Sequence, residues 1–196
     1  MPIYDRHKLI FIHVPKCAGT SINNYYCPGL KSRFTHPSKF SLNLMYGREL
    51  QHITARRMSL LAPFRFRKYF KFAFVRNPYR RIESEFNWRK SWDSATNKMS
   101  LSTFIDTIPY RLNEPHFMPA NKFLLTSSGT VLVDFVGKFE NMESDLQKIN
   151  QLAGVNVDGN IGKANVSHKV TLLTENDKRK IYNIYQEDFK AFNYDV

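Results

Sequence analysis

Leu9–Ser21 reads LIFIHVPKCAGTS, an apolar run that stops at Pro15-Lys16 and passes into small residues and then two hydroxyls. A buried strand that ends in a lysine and a compact loop is how α/β proteins build a phosphate cradle. The backbone N–H groups of the loop and of the helix opening after it converge on an anion. Gly19 allows close backbone approach, and Thr20 and Ser21 add hydroxyl donors. In the nucleotide loop GxxxxGK[ST] the lysine follows the glycines. Here Lys16 precedes Gly19, so the loop suits a phosphate without matching an ATP or GTP loop.

Outward from that stretch, strands and helices alternate. Leu9–Val14 reads as a parallel strand buried on both faces, with a helix over Thr20–Tyr26. Tyr69–Val75 (YFKFAFV) reads as a second buried strand, running straight into Arg76-Asn77-Pro78. Asn77 is the expected N-cap and Pro78 the first helical residue. That helix sets Tyr79, Ile82 and Phe86 inward and Arg80, Arg81, Ser84 and Glu85 on a polar face. Val131–Val136 is the expected third strand, followed by a helix over 142–153 with Met142, Leu146, Ile149 and Leu152 inward. Thr174 with Asp177 announces a capped last helix, whose stripe is Ile181, Ile184, Tyr185, Phe189 and Phe192. Shorter helices are expected at 51–61 and Leu101–Ile108, and loops at 27–50, 89–99, 109–120 and 154–173. The pattern predicts one α/β domain over 1–196, a three-layer α/β/α fold with a mostly parallel central sheet.

Composition narrows the partners. The 196 residues carry 29 Lys plus Arg against 17 Asp plus Glu, a net +12 that favours an anionic partner: nucleic acid, a phosphorylated cofactor, an acidic polysaccharide or a membrane surface. Sixteen Phe and ten Tyr set the chain apart from disordered sequences. Cys17 and Cys27 make neither a disulfide framework nor a metal set. A phosphatase-like loop would need arginine at position 23, which is Asn, so Cys17 reads as a small loop residue. With no apolar stretch near ~20 residues and no signal-peptide core, a cytoplasmic protein without stable membrane insertion is expected.

Lys16 and Arg76 each lie just past a buried strand and just before a helix. In a parallel sheet both strand ends open on one edge, where open α/β sheets bind ligands. Two cationic sites there would suit a nucleoside with phosphates at both ends. Arg81 and Ser84, three apart on one helix, share a face that can support the second site. Solvation of an exposed helix face is the plainer reading of Arg80 and Arg81.

These residues resemble a known family. PKCAGTS is similar to the 5′-phosphosulfate loop of sulfotransferases, and FAFVRNPYRRIESEF to their 3′-phosphate motif, RNPYxRxxS. EPHFMPANKFL, DFVGKFENMESDL and KRKIYNIYQEDFKAFNY extend the resemblance, in order, toward carbohydrate sulfotransferases of the chondroitin and heparan type and their short bacterial relatives. The resemblance implies a sulfotransferase variant of the P-loop NTPase fold and 3′-phosphoadenosine 5′-phosphosulfate (PAPS) as donor, with no metal required. By resemblance Pro15, Lys16, Cys17, Ala18, Gly19, Thr20 and Ser21 form the 5′-phosphosulfate loop. Arg76 and Ser84 hold the 3′-phosphate with Arg81 nearby, and Asn165, Ser167 and Lys169 close over the nucleotide. Cys17 occupies a position that varies in the family, and Asn121 stands where many glycan-modifying members have Gln.

Sulfuryl transfer places charge on the bridging and equatorial oxygens, which Lys16 is expected to stabilise. An acceptor hydroxyl benefits from a general base. Relatives carry a histidine shortly before the 3′-phosphate strand, and His52 matches that position best. His116 is the next candidate, followed by Glu49 or Glu114. His13 reads as structural, His36 sits in a basic loop, and His168 is assigned to the nucleotide. The acceptor surface is expected to draw on 28–50, 64–68 and 88–120, with Tyr46, Trp88, Trp92 and Phe117. The expected partner is an anionic glycan acceptor, and not nucleic acid. The rival readings are an atypical P-loop small-molecule kinase, which lacks an evident GK[ST] and Mg²⁺ carboxylate, and a non-catalytic module binding nucleic acid or glycan.

Overall fold

The apolar run beginning at Leu9 becomes the buried centre of a sheet. In the computed structural model, which describes residues 3–28, 51–157 and 172–196, the strands are β1 (Ile3–Tyr4), β2 (Leu9–Ile12), β3 (Phe70–Val75) and β4 (Phe135–Lys138). They lie in the order β1-β2-β3-β4. β1 is antiparallel to β2, while β2–β3 and β3–β4 are parallel. The fold is therefore mixed α/β with a mostly parallel sheet. All four residues of β2 and the last four of β3 are buried, as a continuous apolar run on a two-sided strand requires.

The described helices are α1 (Gly19–Tyr26), α2 (Ala55–Leu61), α3 (Pro63–Lys68), α4 (Pro78–Lys90), α5 (Ser94–Asn97), α6 (Leu101–Thr107), α7 (Asn121–Leu124), α8 (Met142–Ala153) and α9 (Glu175–Ala191). The chain forms two compact units, Met1–Val75 with Lys122–Ala164 and Arg76–Asn121 with Asn165–Val196.

The first unit holds the sheet. Phe11 stacks on Phe72 (centroids 5.2 Å apart), and Tyr26 of α1 packs on Phe72 at 5.7 Å. Asn150 ties α8 to α1, accepting from the Tyr26 hydroxyl at 2.8 Å and donating to the Tyr25 oxygen at 2.7 Å. The third strand begins four residues later than the sequence suggests. Val131 makes only an isolated antiparallel bridge with Leu125. Asp134 then engages Lys71: its N–H donates to the Lys71 carbonyl, and its carboxylate accepts the Lys71 N–H at 2.7 Å and pairs with the ammonium at 2.8 Å. That clasp starts the parallel ladder at Phe72↔Phe135, and the strand runs on through Gly137 and Lys138, past the expected end at Val136. β1, too short for a periodic signal, is not legible in the sequence.

The second unit is helical. Asn77 caps α4 by accepting the Tyr79 N–H at 3.0 Å, and Pro78 takes the first helical position, as expected. Ile82 and Phe86 of α4 pack with Leu101, Phe104 and Ile105 of α6, and with Ile181, Tyr185 and Phe189 of α9. The Thr174–Asp177 capping box opens α9. The polar face expected on α4 is corrected: Arg81, Glu83 and Glu85 are buried, each held by a partner, and Arg80 is the exposed one, paired with Glu83. Leu152 of α8, expected inward, is 61% exposed. The 89–99 loop is also partly helical, because α4 runs to Lys90 and Asp93 caps α5. The helix within 51–61 is α2, and Pro63 begins a further short helix, α3.

Gly137 faces the Phe74 ring so closely that a β-carbon there would lie 2.6 Å from it. Gly137→Ala is expected to destabilise the fold by about 1–3 kcal/mol through overpacking. Adding Phe74→Leu should return part of that loss in a denaturation midpoint; full wild-type stability of the single variant would refute the packing argument.

Candidate active site

The loop after β2 is built by its backbone. Lys16 (φ 64°) and Ala18 (φ 66°) take left-handed conformations, with Cys17 between them at negative φ. Such backbone costs of order 1–3 kcal/mol per non-glycine residue, and it persists where surrounding structure holds it, commonly at ligand clamps. Alternation of this kind turns successive N–H groups toward one point, an anion-binding nest. Ala18 caps α1 without any side-chain hydrogen bond, so the helix's first N–H groups face the same mouth. Pro15 and Cys17 are buried, and the Cys17 thiol donates to the Pro15 carbonyl at 3.4 Å. Lys16 is half-buried, Thr20 exposed and Ser21 buried.

His13 organises what lies behind the loop. Its ring stacks on Phe11 at 5.3 Å and lies against Gly19, where a β-carbon would fall 1.8 Å from Nε2. Gly19 is therefore required by a close approach within the protein as well as by any ligand. The His13 carbonyl lies 3.0 Å from His52 Nδ1, and the two rings are 4.5 Å apart. A carbonyl only accepts, so Nδ1 carries the proton and the lone pair of neutral His52 is on Nε2. His52 sits half-buried just before Thr54, whose hydroxyl caps α2 by accepting the Arg57 N–H. In the sequence His13 reads as structural; its use as the group that sets a second histidine's tautomer has no local sequence signal.

β2 and β3 are parallel, so both strands end at the same sheet edge, and Arg76 is the residue directly after β3. Arg76 and Ser84 are each half-buried. Arg81 is buried: Nη1 and Nη2 donate to the Met118 carbonyl at 3.0 and 3.1 Å, and its guanidinium lies 4.9 Å from the Tyr185 ring centroid. The Tyr185 hydroxyl donates to the Phe117 carbonyl at 2.7 Å. Asp188 accepts the Ala120 and Asn121 N–H groups at 2.7 and 2.8 Å. Burial pushes the Asp188 carboxyl upward, against the charge of Arg81 and these two backbone donors. The segment 117–121 is thus fixed by three buried side chains of α4 and α9.

His116 enters that segment with a buried partner. Its Nδ1 lies 2.8 Å from Glu85, whose other oxygen accepts from Arg89 at 2.6 Å. Burial pushes the Glu85 carboxyl up, but His116 and Arg89 outweigh it and hold Glu85 below the usual glutamate range. His116 stacks on Trp88 (5.0 Å, 16°), and Trp88 meets Trp92 edge-on at 5.1 Å. Trp88 and Trp92 are 41% and 57% exposed. Glu114 is engaged by Arg111 and Arg89, and Phe117 is core. Asn165, Ser167, His168 and Lys169, together with His36, Tyr46 and Glu49, lie outside the described residues. Among the described residues no group of three His, Cys, Asp or Glu could hold a metal ion, and no helix is long and apolar enough to cross a membrane.

The profile of the sulfotransferase family matches residues 2–195. The chain belongs to the sulfotransferase family. Its chemistry is therefore transfer of a sulfuryl group. A stretch of 90 residues is 31% identical to a protein of Archaeoglobus fulgidus (strain ATCC 49558 / DSM 4304 / JCM 9628 / NBRC 100126 / VC-16) described as uncharacterized, covering 44% of this chain and 69% of that protein. No solved structure matches the chain.

In this sulfotransferase the Glu85–His116–Arg89 cluster carries a pH signature. A carboxyl held below its ordinary value adds stability that is fully present above that value, 4.5, and is lost as pH falls through the lowered one. Glu85→Gln should lower the thermal midpoint at neutral pH by several degrees. The gap to wild type should narrow as pH falls below the ordinary glutamate range. A gap that stays constant across that range would refute the ionised assignment.

Proposed function

We propose that this sulfotransferase takes its sulfuryl group from PAPS and delivers it to a hydroxyl of a carbohydrate acceptor, with His52 as general base. The alternating left-handed backbone at Lys16 and Ala18, in front of an uncapped helix, is the observation that carries the donor assignment. It supplies converging N–H groups, and Lys16 adds a cation that the nest itself lacks. When bound, PAPS supplies a sulfuryl group activated by its phosphate leaving group. The residues Lys16–Ser21 hold the 5′ end by backbone and hydroxyl donors. Arg76 and Ser84 are assigned the 3′-phosphate by their RNPYRRIES motif, and Arg81, committed to Met118, acts as a post that positions rather than binds. Ser167 and Lys169 remain assigned to the nucleotide on their sequence motif.

Lys16 would place positive charge where negative charge grows on the leaving oxygen and so stabilise the transition state. His52 Nε2 holds the lone pair that accepts the acceptor's hydroxyl proton, because Nδ1 is spoken for by the His13 carbonyl. His116, oriented by Glu85, is the second reading for the base. Its support is the same kind of tautomer and orientation control, exerted by a carboxylate. For the acceptor, the exposed Trp88–Trp92 pair beside His116 offers aromatic faces suited to sugar rings. A glycan is the proposed partner.

Thermal stabilisation by 3′-phosphoadenosine 5′-phosphate, compared with ATP, AMP and DNA, tests the donor site, because a ligand of the native state raises the midpoint. A selective response to the bisphosphate is expected; a preference for ATP would sink the assignment. With labelled PAPS and a panel of acidic and neutral glycans, His52→Ala should lose about 10²–10⁴-fold in turnover and keep its response to the bisphosphate. Lys16→Ala should be severely impaired in turnover. If His52→Ala turns over normally and His116→Ala carries the loss, the base is His116.

A further inference from the structure

The corner where α2 meets α3 overlaps the 64–68 stretch expected from the sequence to serve the acceptor, and it exposes apolar as well as basic side chains. Leu60 is 75% exposed and Phe64 is 82% exposed, with Leu61 partly exposed between them, although Ala55 and Met58 anchor α2 in the core. The same two helices carry five exposed cations, Arg56 and Arg57 on α2 and Arg65, Arg67 and Lys68 on α3. Among the described residues, only Arg65 of the five has an acidic partner, Asp5 at 2.8 Å. The sequence holds no Asp or Glu between Glu49 and Glu83, so α2 and α3 carry no carboxylate of their own.

We propose that this corner docks the protein on an anionic phospholipid bilayer. A bilayer boundary satisfies both halves of the pattern. Its headgroups take the arginines and lysine, and its acyl edge takes the leucine and phenylalanine tips. A soluble polyanion would satisfy the cations alone and leave Leu60 and Phe64 in water, where large apolar tips clustered together are uncommon without a partner. The contact is peripheral and interfacial: α2 and α3 are short helices lying at a surface, and neither spans it.

Flotation of the full chain with phosphatidylcholine vesicles, with and without phosphatidylserine, tests this. Partitioning should favour the phosphatidylserine vesicles and fall with added salt. Leu60→Ser with Phe64→Ser should weaken partitioning on the order of tenfold or more. Arg67→Gln and Lys68→Gln should each weaken it roughly fivefold. Both sites are exposed, so thermal midpoints should stay near wild type. If the serine variant unfolds, Phe64→Trp decides instead. Its added emission should shift to the blue on phosphatidylserine vesicles, and no shift overturns the proposal. Absence of vesicle binding overturns it as well. So does a serine variant that binds like wild type, which would mark the corner as a surface for soluble polyanions such as a sulfated polysaccharide.

Discussion

A β-carbon at position 19 would sit 1.8 Å from the His13 ring, and much of the first unit depends on that close approach. The strand delivers His13 at its end, the ring presses on the first residue of α1, and the loop between must fold tightly enough to keep both in place. It does so by placing Lys16 and Ala18 in left-handed backbone, a cost tolerated because the buried strand and helix fix both ends. The same histidine turns its carbonyl to His52. One residue thereby couples the shape of the anion cradle to the tautomer of the proposed base.

The second unit solves a related problem with buried polar groups instead of strain. Residues 117–121 run without regular structure until α7 begins, and their backbone would be costly to bury unsatisfied. Arg81, Tyr185 and Asp188 meet four of those backbone groups from two helices. Charged donors and acceptors make these bonds strong, and partnering is what lets an arginine and an aspartate sit in an apolar core. Glu85 extends the arrangement to His116 and Arg89, so a segment that looks like loop is anchored by side chains from the helices.

Most elements were legible because their signals are local. Asn77-Pro78 and Thr174 with Asp177 are capping chemistry within four residues, and both caps form as the sequence implies. The apolar runs at Leu9 and Phe70 need no partner to be recognised as buried. The misplaced third strand shows the opposite case. Val131–Val136 has strand-like residues, but the Asp134–Lys71 clasp decides where pairing begins, and the residues involved are far apart in sequence. Likewise, helical periodicity places Arg81 and Glu85 on a polar face, while the half-buried partners that hold them inward, Met118 and His116, belong to another segment.

The sequence by itself determined the α/β class, the anion loop with its lysine ahead of the glycine, the capped start of α4 and the family to which the chain belongs. Those features are written in contiguous residues, where backbone preferences and apolar spacing act directly. Only the tertiary structure decided which nitrogen of His52 carries its proton, why position 19 must be glycine, and that Arg81 spends its guanidinium on a carbonyl. Each of these depends on atoms brought together from distant parts of the chain, and no local pattern specifies such a meeting.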